Sequence, residues 1–501
     1  LIFYNHVLRD LYNFLALRPL APWYFGTVIM QQPLPRRELD FLKDWSAQAR
    51  RKPLLIRGAR QTGKTTLVRE FARLASLALV EINFERNPEF VKAFNVRDPG
   101  EILTTLELMT DRTIDPVSGL LFLDEIQAAP EALVALRYFC EERPELPVIA
   151  AGSLLEFTLA NEHFSMPVGR LEYLHLGPMQ FEDFLRATGH TNLASHLCDL
   201  TLEEPGIPEP VHNRYLALLN QYWIVGGLPE AVARYAQSGN FSEASRVHQG
   251  ILATYREDFN KYSHGAMKER IQLVFDQLPG LVGHKLKYSR ISREHRSIEL
   301  AEALQQLCMA RIASKVHHSA ANGIPLSAEI NRRRFKMLYL DIGLLCTGLN
   351  LNVLDLNDRD LTLVNKGAVA EQFIGQQLLH AGQYYEAPVL HCWMREVKSA
   401  AAEVDYLLTS GQQVIPVEVK SGSAGTLKSL HQFIKEKQTP LALRFSTALP
   451  PGLMQHQTRL TDNTVIHYNL LSLPLYLVGQ AGRLLKACLA QLSGADRQQS
   501  E

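Results

Sequence analysis

The chain has 501 residues, 46% of them hydrophobic, which is enough for real cores and predicts two to four domains. With 52 basic and 52 acidic residues the formal net charge is zero, which excludes a whole-molecule field favouring nucleic acid and leaves any such surface local. The six cysteines, Cys140, Cys198, Cys308, Cys346, Cys392 and Cys488, include no C-x-x-C pair; they argue against zinc or redox chemistry and for small buried hydrophobes in a reducing, cytoplasmic compartment.

Residues 1–35 are expected to be an N-terminal extension without a fold of its own. The apolar stretch from Leu11 to Met30 is broken by Arg18, Pro19 and Pro22, so it is a poor membrane span, and it lacks the basic start and clean apolar core of a secretory signal. No membrane association is expected.

From Leu54 the pattern changes. Leu54-Leu55-Ile56 reads as a buried strand, Gly58-Ala59-Arg60-Gln61-Thr62-Gly63-Lys64-Thr65 fits G-x-x-x-x-G-K-[ST], and Leu67, Val68, Phe71, Ala72 and Ala75 recur at helical spacing. A triphosphate cradle needs that order: glycines let backbone N–H groups turn inward, and the following helix points its positive end at the same place. Gly58, Ala59, Arg60, Gln61, Thr62, Gly63, Lys64, Thr65 and Thr66 are therefore candidate nucleotide contacts. Lys64 would reach the β- and γ-phosphates and Thr65 would bind Mg²⁺. The other reading is a strand-to-helix turn with no ligand.

A second strand is expected over Leu79 to Phe84, then helical segments to Met109, then Leu120 to Leu123, which delivers Asp124 and Glu125 at its end. Asp124 is placed to hold Mg²⁺ and Glu125 to orient and activate the attacking water, with strand alternation sending them to different faces. A helix N-terminal charge pair ahead of Glu131 to Cys140 is the alternative. The strand Pro147 to Ala151 leads to Ser153, either a phosphate or water sensor or a turn serine. Arg170 could touch a phosphate of its own subunit or a neighbour's, or pair with a surface carboxylate. Alternating strands and helices over 36–180 imply a mostly parallel sheet covered on both faces. Residues 181–270 read as a helical lid turning at Pro205-Gly206 and Gly226-Gly227-Leu228-Pro229, where helix termination alone accounts for the glycines and proline.

Residues 271–350 suggest a winged helix-turn-helix. Ser297 to Leu307 is a helix with Ser297 as cap and apolar positions at 298, 301, 304 and 307; Ile312 to Val316 and Phe335 to Leu340 would form the wing. Arg332-Arg333-Arg334 is the dense basic run, either a salt-sensitive phosphate contact or a solvated face.

Residues 351–490 form the last unit, followed by a polar tail over 491–501. A helix from Ala368 to Leu379 carries Glu371, and strands 404–408 and 414–420 flank Ser410-Gly411-Gln412. A two-residue loop at Gly411-Gln412 sets Ser410 opposite Gln413, Asp405 opposite Glu418 and Glu403 opposite Lys420. Carboxylates facing across a ladder repel unless a cation sits between them. Glu371, Asp405, Glu418 and Lys420 thus gather on one side of a small sheet.

On Arg60-Gln61-Thr62-Gly63-Lys64-Thr65-Thr66, Leu123-Asp124-Glu125-Ile126-Gln127, Ala151-Gly152-Ser153, Gly169-Arg170, Gly226-Gly227-Leu228-Pro229, Leu340-Asp341-Ile342-Gly343-Leu344 and the carboxylate hairpin, the chain from about Arg36 to Leu489 resembles a known group. These are bacterial and archaeal AAA-type ATPases whose C-terminal domain of unknown function is similar to restriction-endonuclease-like nucleases. The resemblance implies an α/β fold: an AAA-type P-loop core with a helical lid, a winged helix-turn-helix and a C-terminal α/β nuclease-like domain. It implies ATP and Mg²⁺ as cofactors and allows a homo-oligomer and a nucleic-acid partner. In that pattern Glu371, Asp405 and Glu418 bind metal while Lys420 helps activate the water that attacks a phosphodiester. Three readings of the C-terminal domain stay open: a nuclease controlled by nucleotide state, a nuclease fold serving only as a binding module, and a hairpin with cross-strand ion pairs.

Overall fold

A computed structural model describes residues 34–159, 169–202, 206–262, 265–351, 366–395, 401–422 and 426–498. The expected N-terminal extension lies almost wholly outside the described residues. Five short runs build the first sheet: β1 (Leu54–Arg57), β2 (Ala78–Asn83), β3 (Gly119–Asp124), β4 (Val148–Gly152) and β5 (Glu172–His175), all parallel in the order β2-β3-β4-β1-β5. Parallel strands covered on both faces need apolar residues at successive positions, and β3 and β4 are buried throughout. Leu42, Trp45, Val68 and Phe71 cover one face; Ile102, Leu133, Leu136 and Phe139 cover the other. The strand β5, absent from the sequence reading, pairs with the far side of β1, so the loop leaving β1 emerges between two neighbours at the carboxyl edge.

The lid is helical as expected, with Phe181–Ala187, Thr191–Asp199, Glu209–Val225, Pro229–Ser238 and Phe241–Tyr262. Its Gly226-Gly227-Leu228-Pro229 turn does more than end a helix, which corrects the sequence reading. Gly226 has φ 69° and ψ −167°, and a Cβ there would overlap the carboxylate of Asp341. The Gly227 N–H donates to Asp341 Oδ2 at 2.7 Å, and Pro229 lies 3.0 Å from where a Gly63 Cβ would stand. The turn is therefore wedged between the phosphate loop and a buried aspartate.

Helices Ala266–Gln277, Tyr288–Ile291 and Ser297–Met309 precede the antiparallel strands β6 (Ala313–Ser319) and β7 (Ile330–Tyr339). This hairpin does not project freely, because β6 pairs in parallel with β8 (His391–Arg395). Strands β9 (Ala402–Ser410), β10 (Gln413–Val419), β11 (Leu441–Ser446), β12 (Gly452–Arg459) and β13 (Val465–Pro474) complete one eight-stranded sheet, ordered β12-β13-β11-β10-β9-β8-β6-β7. Residues expected as separate wing and C-terminal units thus share a sheet. Within Ser297–Met309 the buried face is Leu300, Ala303, Leu304 and Leu307; Ile298 is 67% exposed rather than core-facing. Ser297 is already helical, and the Glu299 carboxylate accepts the Arg296 N–H at 3.2 Å in place of a serine cap. The β9–β10 hairpin turns at Gly411-Gln412 as expected, with Gly411 at φ 58° and Ser410 opposite Gln413. Part of the expected tail continues the helix Ala481–Gln498. All six cysteines are free, and no described helix is long and apolar enough to cross a membrane.

Candidate nucleotide site and carboxylate cluster

The phosphate loop bends through left-handed backbone at Gln61 (φ 66°) and Gly63 (φ 85°), and helix Lys64–Leu74 begins without a side-chain cap, so its first amides face the loop mouth. Gly58 is pressed against the Leu176 carbonyl, and the buried Thr62 hydroxyl donates to the Ala59 carbonyl at 2.9 Å. Gly58, Ala59 and Thr62 therefore shape the loop from behind. Arg60, Gln61, Gly63, Lys64, Thr65 and Thr66 line a cavity of about 340 Å³, closed on its other side by Ile251, Thr254 and Tyr255 of the lid helix Phe241–Tyr262.

Lys64 is folded onto its own loop, its Nζ donating to the carbonyls of Gly58 (3.1 Å) and Ala59 (2.8 Å). Burial draws its ammonium down to about 8, against the opposing pull of Glu125 and Asp124. A bound triphosphate adds negative charge that holds the proton. Binding at pH 9 is therefore expected to take up a proton, up to about one per nucleotide. Calorimetry in buffers of differing ionisation enthalpy measures this uptake; zero uptake would separate Lys64 from the phosphates.

Asp124 ends β3 with both neighbours in place: the Thr65 hydroxyl donates to its Oδ2 at 2.9 Å and Asn83 Nδ2 at 3.1 Å. Burial pushes its carboxyl above the usual range against the Thr65 hydrogen bond, and the neighbouring Glu125 charge adds to the rise. A hydroxyl and a carboxylate side by side are hard oxygen donors of the kind Mg²⁺ takes, so these residues fit that ion. Glu125 leaves the strand in left-handed backbone (φ 51°, ψ 47°), so its direction is set by that bend and not by strand alternation. Its Oε2 accepts from Gln127 Nε2 at 2.6 Å and from the Ser153 hydroxyl at 3.2 Å.

Ser153 is buried just after β4 and lines the cavity. Arg60 Nε donates to Ser153 Oγ at 3.4 Å, while its guanidinium bonds Asp258 and its carbonyl accepts from the Tyr255 hydroxyl at 3.1 Å, tying the loop to the lid. Arg170 is not brought to this pocket. It is exposed and donates to Glu141 at 2.7 Å, just before β5, at the amino ends of the parallel strands, whereas the phosphate loop is at their carboxyl ends. Of the two readings for its own subunit, the structure has the surface pair.

Where the helix Lys366–Leu379 meets the C-terminal sheet, ligand oxygens of Glu371, Glu403 and Asp405 lie within 4.8 Å of one another. A residue outside the sequence reading sits among them. Lys336 Nζ is 2.6 Å from Glu371, 2.9 Å from Glu403 and 3.5 Å from Asp405, and 5.4 Å from the Tyr406 ring centre. Burial works against its ammonium, but Glu371, Asp405 and Glu403 together hold its pKa well above the ordinary value. Glu371 is pushed up to about 7, burial outweighing the stabilising Lys336. Glu418 is next door, raised to about 7 by burial and by Asp405, and its Oε1 accepts from Lys420 Nζ at 2.5 Å. The four expected residues are thus near one another, but Glu403 joins Lys336 and not Lys420. The missed signal was a lone lysine inside the apolar run Phe335-Lys336-Met337-Leu338-Tyr339, since a buried charge requires a partner.

Residues 50–185 match the family model described as an AAA domain. The chain carries an AAA-type P-loop ATPase domain. Beyond this ATPase domain, residues 216–355 and 366–471 match two families, each described as a domain of unknown function (DUF8612 and DUF4143). No curated protein matches the chain. Among solved structures, a Walker-type ATPase of Pyrococcus abyssi is 16% identical, covering 64% of this chain and 98% of its own, at TM-score 0.39. The Aeropyrum pernix ORC1 protein in complex with DNA is 13% identical, covering 65% and 95%, at TM-score 0.27. The Thermotoga maritima RuvB Holliday junction branch migration motor is 15% identical, covering 56% and 90%, at TM-score 0.28.

Proposed function

We propose that the chain binds ATP in the cradle of Gly58 to Thr66, hydrolyses it with Mg²⁺, and passes its nucleotide state to the C-terminal domain. One constellation supports this best: Lys64, Thr65 and Glu125 line a single cavity, and Asp124 accepts the Thr65 hydroxyl beside it. In this reading Lys64 engages the β- and γ-phosphates, and Thr65 and Asp124 hold Mg²⁺. Bound there, the ion supplies positive charge against that developing on the phosphoryl oxygens. Glu125, steadied by Gln127 and Ser153, orients a water and accepts its proton.

The route onward is a chain of packed groups. Pro229 rests on Gly63, Gly227 donates to Asp341, and Asp341 accepts from Gln376 Nε2 at 3.3 Å. On the same helix, Lys366–Leu379, Gln377 accepts the Phe181 N–H at 3.1 Å where the lid begins and donates to the Tyr222 hydroxyl at 3.1 Å. That helix also carries Glu371 into the carboxylate cluster. A loop displacement on loss of the γ-phosphate thus has buried contacts to move. Arg332 and Arg333, exposed on β7, favour the phosphates of a nucleic acid as the partner of the C-terminal half. In a homo-oligomer Arg170 would face a neighbour.

Calorimetric titration with ATP and Mg²⁺ tests the reading. The chain is expected to bind, and Lys64→Ala to weaken affinity at least about tenfold, the worth of one charge-assisted contact. No heat with the unaltered chain, or undiminished binding by the variant, overturns it.

A further inference from the structure

The nuclease-like reading of the C-terminal domain calls for a divalent ion between its carboxylates, and the residues present do not fit one. We infer that the Lys336 ammonium is the resident cation of the Glu371, Glu403 and Asp405 cluster, so that this domain takes no divalent ion there and does not cut phosphodiesters. An ion touching all three carboxylates would stand about 2.0–2.6 Å from each, within the space Nζ fills at 2.6, 2.9 and 3.5 Å. The two cannot coexist.

Nor is the lysine free to withdraw. Its backbone lies in β7 opposite Val316 of β6 and bridges Lys285, its side chain is 2% exposed, and the buried Tyr406 ring closes over it. Tyr406 is itself pinned, its hydroxyl donating to the Glu371 carbonyl at 2.8 Å. The remaining oxygens do not rebuild a site nearby. Asp405 uses Oδ1 on Lys336 and accepts the Val419 N–H on Oδ2 at 2.8 Å, and Glu418 uses Oε1 on Lys420. Glu371 and Glu403 likewise each give an oxygen to Lys336, so every carboxylate of the group already faces an ammonium, and among the described residues Glu418 Oε2 is buried without a hydrogen-bond partner. The cluster therefore carries an internal positive charge where an ion would sit, one ammonium offsetting part of the charge of three carboxylates and tying the helix Lys366–Leu379 to the sheet.

The inference goes beyond the ATPase reading, and its test runs without nucleotide, so the two can fail separately. Mn²⁺ is titrated into the full chain carrying Asp124→Asn, which removes the phosphate-site carboxylate, and free Mn²⁺ is followed by electron paramagnetic resonance. The expected result is no Mn²⁺ site that depends on Asp405, and no Mn²⁺-dependent cleavage of single- or double-stranded DNA. Adding Lys336→Ala is expected to raise Mn²⁺ affinity by about 100-fold or more, since a fixed like charge is removed, with a matching Mn²⁺-dependent rise in the thermal midpoint. Asp405→Asn is expected to abolish that gain. A Mn²⁺ site present with Lys336 intact and lost in Asp405→Asn overturns the inference, and so does a folded Lys336→Ala chain with no gained affinity. If Lys336→Ala does not fold, the comparison of Lys336-intact chains with and without Asp405→Asn decides alone.

Discussion

Glu125→Gln is expected to leave ATP bound while lowering turnover by roughly 10²–10³-fold, the range lost when a positioned base or charge-orienting group is removed. The substitution keeps the volume and the left-handed bend, and a glutamine oxygen can still accept from Gln127 and Ser153, so the cavity is preserved. What is lost, in the mechanism proposed above, is the negative charge that would accept the proton of the attacking water. The fall should therefore appear in kcat, with little change in KM, in a steady-state assay of phosphate release. Binding measured in parallel by calorimetry should match the unaltered chain. Turnover within a few-fold of normal would move the base elsewhere in the pocket.

Gly226→Ala is expected to be the most damaging change outside that pocket. The φ 69°, ψ −167° conformation is one that only glycine adopts readily, and the added methyl would overlap the Asp341 carboxylate. Asp341 cannot move aside, because it is fully buried and accepts the N–H groups of Gly227, Gly343 and Leu344 at 2.7, 2.9 and 3.2 Å. A loss on the order of 3 kcal/mol or more follows, from strain combined with disrupted buried hydrogen bonds. Gly239→Ala is the control: φ is again positive at 64°, but nothing stands within 4 Å, so the cost should be the left-handed penalty of about 1–2 kcal/mol. The first urea transition, followed by tryptophan fluorescence, compares the two. Equal losses would remove the steric role given to Asp341.

The phosphate-loop geometry was legible in the sequence because its determinants are local. The loop, the strand before it and the helix after it occupy one continuous stretch, and Asp124 with Glu125 end another. Asn83 was not found, since its role arises only from β2 lying beside β3. The tie between Arg60 and Asp258 spans nearly two hundred positions and has no periodic trace. The β9–β10 turn could be read from Ser410-Gly411-Gln412, yet the central cation of the cluster comes from β7, a strand joined to β9 only through β6 and β8. The same limit explains the Gly226-Gly227 turn. Its composition fits ordinary helix termination, and only the folded chain brings Asp341 within reach.

The sheet order has a consequence for how the chain is made. During synthesis β6 leaves the ribosome roughly seventy residues before β8, its partner on one side, so at roughly 5–20 residues per second that hairpin edge waits for several seconds. Unpaired strand edges attract other chains, and β6 bears Lys315, His317 and His318, polar residues that discourage such capture. Synthesis halted between β7 and β8 would leave the nascent half-domain prone to aggregation, a hazard that ends when β8 zips onto it.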